Sequence, residues 1–187
     1  MNIAVGPSST SSDRPGARRA FAVALALVSG LASAQQRFDH QGSLGLTVAT
    51  GGEYVTAITT MATGERGVRI PIELGVTISL TNRTELRVSG RFAPGFPPLT
   101  TLGGSGYAGI RNSFGFEQWK TFFDLEAAVH FAPLLAFGAR AAFGVQYDFS
   151  PIMGVYAQVG AQLGGASALR LSFEGMVGVQ FRTYVFE

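Results

Sequence analysis

The 187-residue chain contains no cysteine. Disulfide staples, thiol catalysis and cysteine-ligated metal centres are therefore excluded, as is lipid attachment at a cysteine. Charge is scarce, at 14% of residues, while 47% are hydrophobic. Even so, no apolar run reaches the ~18 residues that a membrane-crossing helix needs. The oily residues must instead be interleaved with polar ones. There are two histidines, His40 and His130, and one tryptophan, Trp119. That leaves little material for a histidine-based metal or acid–base centre, and no cofactor motif is present.

A short positive region stands near the start. Arg14, Arg18 and Arg19 precede the apolar run Ala20–Val28, then Ser29, Gly30 and Leu31, and the small-residue site Ala32-Ser33-Ala34. A positive region, a short apolar core and an A-x-A site make a secretory signal peptide over residues 1–34, cleaved after Ala34. Residues 1–12 fit a mis-assigned start codon. The prefix holds three of the 14 basic and one of the 12 acidic residues, so residues 35–187 are balanced at 11 of each. With no basic surplus and no interleaved aromatics, nucleic-acid binding is not expected.

The stretch Ala168–Glu187 carries the clearest pattern. Leu171, Phe173, Gly175, Val177, Val179, Phe181, Thr183 and Val185 form an uncharged face, and Arg170, Ser172, Glu174, Met176, Gly178, Gln180, Arg182 and Tyr184 the opposite one. Side chains alternate with period two on a strand. A 3.6-residue helical period would mix the two sets. The same alternation predicts strands at Gly42–Thr50, Val68–Leu80, Glu85–Phe92, Tyr107–Phe116, Trp119–Phe131, Ala136–Phe149 and Ile152–Leu163. Thr81–Thr84 and Asp148–Pro151 read as turns. Pro71 has no amide N–H and belongs near a strand end or a bulge. Gly51–Gly67 and Ala93–Gly106 read as loops, with Tyr54–Thr60 able to extend the first hairpin. Eight strands over 153 residues allow about 19 residues per strand and connection, and tilted strands of ~9–11 residues cross a bilayer. Ten strands would be crowded.

The fold class is thus all-β, a closed antiparallel up-and-down barrel over residues 35–187. Its polar face carries Glu73, Arg87, Arg91, Arg111, Asp124, Glu126, Arg140, Glu174 and Arg182. Such charges are costly in a soluble core but can pair in a hydrated lumen. Aromatics gather towards strand ends (Phe92, Trp119, Phe131, Phe149, Phe181, Tyr184, Phe186), as interfacial girdles do. With the signal peptide and the aromatic last strand, the chain resembles the small outer-membrane β-barrels of the OmpA/OmpX type. That resemblance implies an outer-membrane address, contact with membrane lipid and reading of the Phe181, Tyr184 and Phe186 end by the barrel-assembly machinery. Glu187 after the aromatic departs from the pattern.

An eight-stranded barrel is only wide enough for side chains, so the charges are expected to plug the lumen. The candidate pairing sets Glu73, Glu126 and Glu174 against Arg87, Arg140 and Arg182. His130 shares a face with Asp124 and Glu126, but residues four apart on a strand are ~13 Å apart, so catalysis would need a serine on a neighbouring strand. His40 is expected to be solvated. The expectation is a monomeric, non-enzymatic barrel with a structural, adhesive or surface-recognition role. The alternatives are a narrow pore, a lipid-modifying barrel enzyme and a soluble lipocalin-like binder.

Overall fold

A computed structural model describes residues 40–57, 66–99, 101–115, 118–133, 135–165 and 169–184. All of them belong to one compact unit, Gln36–Glu187. The expected signal peptide, with Ala32 and Ala34, and the terminal Phe186 lie outside the described residues.

Nine strands occur among the described residues: β1 Ser43–Ala57, β2 Gly67–Arg69, β3 Ile72–Ser79, β4 Thr84–Ala93, β5 Gly103–Phe114, β6 Trp119–Ala132, β7 Ala136–Ser150, β8 Met153–Gly165 and β9 Leu169–Tyr184. All neighbouring pairs are antiparallel. Consecutive strands pair from β3 to β9, and β1 closes the ring on β3 and β9. The closing seam runs from Ser43↔Tyr184 to Ala57↔Arg170. The wall is therefore an eight-strand barrel, with β2 an extra strand beside the far end of β1.

Three expectations are corrected. The strand read as Val68–Leu80 is split into β2 and β3 around Ile70-Pro71, because proline cannot donate to the ladder. There the wall is completed by the β4–β5 connection, with Ile70 N bonded to Pro94 O at 3.0 Å and Phe96 N to Val68 O at 3.0 Å. The loop read as Gly51–Gly67 begins too early, since β1 continues to Ala57 against β9. The loop read as Ala93–Gly106 shrinks likewise, since Gly103–Gly106 already belong to β5. In both places glycine and threonine lowered the strand signal while cross-strand pairing supplied it.

The apolar face points outward. Leu74 is 56% exposed, Val88 61%, Val159 64% and Val177 60%, whereas Arg111, Asp124 and Arg140 are 0% exposed. A soluble binder would reverse this arrangement. Aromatic rings flank the band: Phe92, Phe131 and Phe137 at the loop end, and Phe114, Trp119, Phe149 and Phe181 near the chain-terminus end, are all exposed. Trp119 and Tyr147 lie 4.8 Å apart and Tyr147 and Phe149 5.0 Å apart, ring centre to ring centre.

Val177 sits at the middle of β9 on the outer face. Val177→Arg should cost about 2–4 kcal/mol in a bilayer, while Val177→Leu should be close to neutral. Urea unfolding in lipid vesicles reads both, and equal midpoints would place this face away from lipid.

Candidate functional site

The inward side chains sort into three tiers. Strand parity decides which residues enter, and the register decides which ones meet. In the middle tier the pairs begin across adjacent strands, where register sets Glu73 opposite Arg91, Arg111 opposite Asp124, and Glu126 opposite Arg140. The corresponding N···O distances are 2.6, 2.7 and 2.5 Å. Arg87 also reaches Glu73 on the adjacent strand at 2.5 Å. Further contacts join strands that are not neighbours: Arg87 reaches Asp124 at 2.8 Å. Arg91 and Arg140 both hold Glu174, each at 2.5 Å. Arg111 also lies 3.7 Å above the Phe122 ring. Four guanidiniums and four carboxylates thus form one network in which each neutralises its neighbours.

Arg182 is not part of this network, contrary to the candidate pairing. It lies at the terminus end, 3.0 Å from Asp148 and 3.6 Å from Glu85. Asp148 is the hub there, bonded also to Lys120 at 2.8 Å and Gln146 at 2.7 Å. The candidate set of lumen charges omits Asp148, Glu85 and Lys120, although Glu85 and Asp148 fall on the polar faces of their strands. Parity carries the signal for Glu85 and Lys120, which alternate with Arg87 and Asp124 on their strands. Asp148 was read as the start of a turn. The ladder runs through it, with Asp148 opposite Gly154 and in phase with Gln146, and the register shift comes only after it, at Phe149.

His40 is also corrected. It is 3% exposed, not solvated. Its backbone N bonds Asn82 Oδ1 at 2.8 Å, its Nε2 lies 3.0 Å from Asp148 Oδ2, and Gly42, at φ 75°, turns the chain into β1. The segment before β1 therefore folds over the lumen end. Burial lowers the His40 pKa from its ordinary 6.5, and Arg182 and Lys120 push the same way, against the bond to Asp148.

At the loop end, Ser105 and His130 face one another across β5 and β6, beside a register shift that leaves Phe131 bulged. Ser105 Oγ lies 2.7 Å from His130 Nδ1, and His130 Nε2 lies 2.8 Å from Gln162 Nε2. Tyr107 donates to Gln162 Oε1 at 2.8 Å. With the amide so oriented, Gln162 gives a proton to Nε2, the ring proton sits on Nδ1, and Ser105 accepts it. The serine is then the acceptor and not an activated nucleophile. Sequence reading named the need for such a serine but could not place it. The adjacent cavity is about 30 Å³.

No protein-family model matches the sequence, and no curated relative matches it. Solved structures do. The N-terminal β-barrel domain of Pseudomonas aeruginosa OprF is 14% identical, with a TM-score of 0.56, covering 76% of this chain and 98% of that one. Neisserial surface protein A is 14% identical, with a TM-score of 0.60, covering 75% and 97%. Ail, the attachment invasion locus protein of Yersinia pestis, is 10% identical, with a TM-score of 0.50, covering 76% and 99%. This is the fold of the small outer-membrane barrels. At these identities the likeness fixes the architecture of the barrel and carries no site residue across.

Two predictions follow from the tiers. Arg140→Met strands Glu126, whose other cation, Arg87, is 3.6 Å away, and should cost about 3–5 kcal/mol in urea unfolding. Adding Glu126→Gln should recover part of that loss; strict additivity would contradict a shared network. The lowered His40 pKa means the docked segment binds fewer protons than the released one, so docking is favoured above pH 6.5 and weakens as pH falls below it. Hydrogen-exchange protection at the amides of His40 and Gln41, both held by Asn82, taken as the exchange rate relative to the intrinsic rate at each pH, should fall on acidification, and His40→Gln should remove that dependence.

Proposed function

We propose that this protein is a monomeric, non-enzymatic barrel that spans the bacterial outer membrane with its lumen plugged, and serves a structural or surface-recognition role. The observation that carries the reading is the set of ion pairs crossing the lumen. Arg87 joins β4 to β6 through Asp124, Arg91 joins β4 to β9 through Glu174, and Arg140 joins β7 to β9 through the same carboxylate. A permeant ion would have to displace charges that already satisfy one another in a low-dielectric setting. The exposed aromatic residues Phe181 and Tyr184 towards the end of the last strand support recognition by the barrel-assembly machinery.

The second reading, a barrel hydrolase, is favoured by the Ser105–His130 distance. It is weakened by the direction of that hydrogen bond and by a cavity too small for an acyl chain. Planar-bilayer recordings on the refolded protein should show no sustained open-channel current at neutral pH, and a steady current would overturn the plug. A fluorophosphonate probe should leave Ser105 unlabelled; stoichiometric labelling that depends on His130 would make the protein an enzyme.

A further inference from the structure

The terminus end of the lumen is covered by a piece of chain that belongs to no strand. His40, Gln41 and Gly42 precede β1, and the barrel holds each of their backbone N–H groups. Asn82 Oδ1 accepts from His40 N at 2.8 Å and from Gln41 N at 3.1 Å, and Ser79 O accepts from Gly42 N at 2.9 Å. Gly42, at φ 75°, adopts the left-handed conformation that glycine reaches without steric cost. It folds the segment back, with Ser43 N bonded to His40 O at 3.1 Å. The segment thus hangs on a glycine pivot and is fastened by two edges of the β3–β4 hairpin.

Beneath it lies a group of charges. His40 Nε2 is 3.0 Å from Asp148 Oδ2 on β7, and the same carboxylate binds Lys120 of β6 at 2.8 Å and Arg182 of β9 at 3.0 Å. Arg182 is also 3.6 Å from Glu85 of β4. The β3–β4 turn carries Arg83, which is exposed. Asp148, Lys120, Arg182 and Glu85 are all buried, although they stand at an open end of the barrel.

Asp148 already binds two cations there, so a protonated imidazole would bring a third to the same carboxylate. Burial first, then Arg182 and Lys120, hold the His40 pKa below 6.5 against the bond to Asp148. Once released, the imidazole returns to water and to its ordinary pKa. The released segment therefore binds more protons than the seated one. Seating has its full strength above pH 6.5 and loses it as pH falls through the lowered value.

We propose that the segment His40–Gly42 is a proton-released stopper: acid frees His40 from Asp148, the segment swings out on Gly42, and the vestibule of Asp148, Lys120, Arg182 and Glu85 opens to water while the middle-tier network stays shut. The closure is double, with one part movable and one fixed. The middle-tier pairs are made by strand residues, which the barrel register holds in place, whereas the stopper is held from outside the strands. Fraying of the two amides alone would leave the vestibule covered, and the stopper differs in uncovering it.

The absence of cysteine makes single-thiol accessibility a clean test. Ser79→Cys places a thiol under the segment, where Ser79 is 3% exposed and bonded to Ser43 Oγ at 3.0 Å. Arg83→Cys, in the exposed turn, is the reference. The full barrel is refolded in an uncharged maltoside detergent and treated with a neutral, water-soluble methanethiosulfonate. The ratio of the two labelling rates removes the intrinsic pH dependence of the thiol. That ratio should rise about tenfold between about pH 8 and about pH 5. Adding His40→Gln, which can donate to Asp148 without titrating, should hold it low throughout. Adding Asn82→Ala, which removes the acceptor of both amides, should leave it high at either pH. A ratio that ignores pH, the same rise with His40→Gln in place, or a low ratio with Asn82→Ala overturns the stopper. Planar-bilayer recordings at about pH 5 should still show no steady current; a current that His40→Gln abolishes overturns the double closure. Heat-dependent gel mobility confirms that each variant is folded.

Discussion

Backbone hydrogen bonding in hydrocarbon governs this fold before any side chain does. An unpaired amide or carbonyl in a bilayer costs several kcal/mol, so strands there must close into a ring. The β1–β9 seam meets that demand along the full length of β1. Where Pro71 cannot donate, the β4–β5 connection supplies partners to Val68 and Ile70 instead. The longest strand, β9, has 16 residues, more than the ~9–11 that cross a bilayer. Part of the wall therefore stands outside the apolar band, and the mouth cavity lies at the loop end of that wall.

Closure with eight strands then determines what the lumen can be. Inward positions are too close to leave a wide aqueous channel and too polar to pack as an oily core. Charged side chains survive there only when paired, because each isolated ion would cost several kcal/mol to desolvate. Space for the long arginine and carboxylate arms comes from small inward neighbours. Gly160 shows this: a Cβ there would stand 3.0 Å from Ala142 and 3.1 Å from a Glu174 oxygen. Paired charges tie walls that are distant along the chain, so the network that lines the middle of the lumen also stiffens the barrel.

The two ends differ for a local reason. Each of the two register shifts sits beside a polar cluster, at Phe131 next to His130 and at Phe149 next to Asp148. A bulge adds one residue to one strand and re-aims its neighbours. At the terminus end the extra residue is Phe149, directly after Asp148, which His40, Lys120 and Arg182 contact. At the loop end it is Phe131, and the Ser105–His130 pair stands beside a small cavity.

The sequence by itself determined the fold class, the strand parity and the list of middle-tier charges. Period-two alternation is a local property of each strand and needs no partner to be read, so Arg87, Arg91, Glu126, Arg140 and Glu174 were assigned to one face from spacing alone. Tertiary structure decided everything that depends on register around the ring. It moved Arg182 from the central network to Asp148, drew His40 out of solvent, and placed Ser105 and Gln162 beside His130. Alternation says that a side chain points inward, whereas only the closed register says at what height it arrives and which residue from the opposite wall it meets.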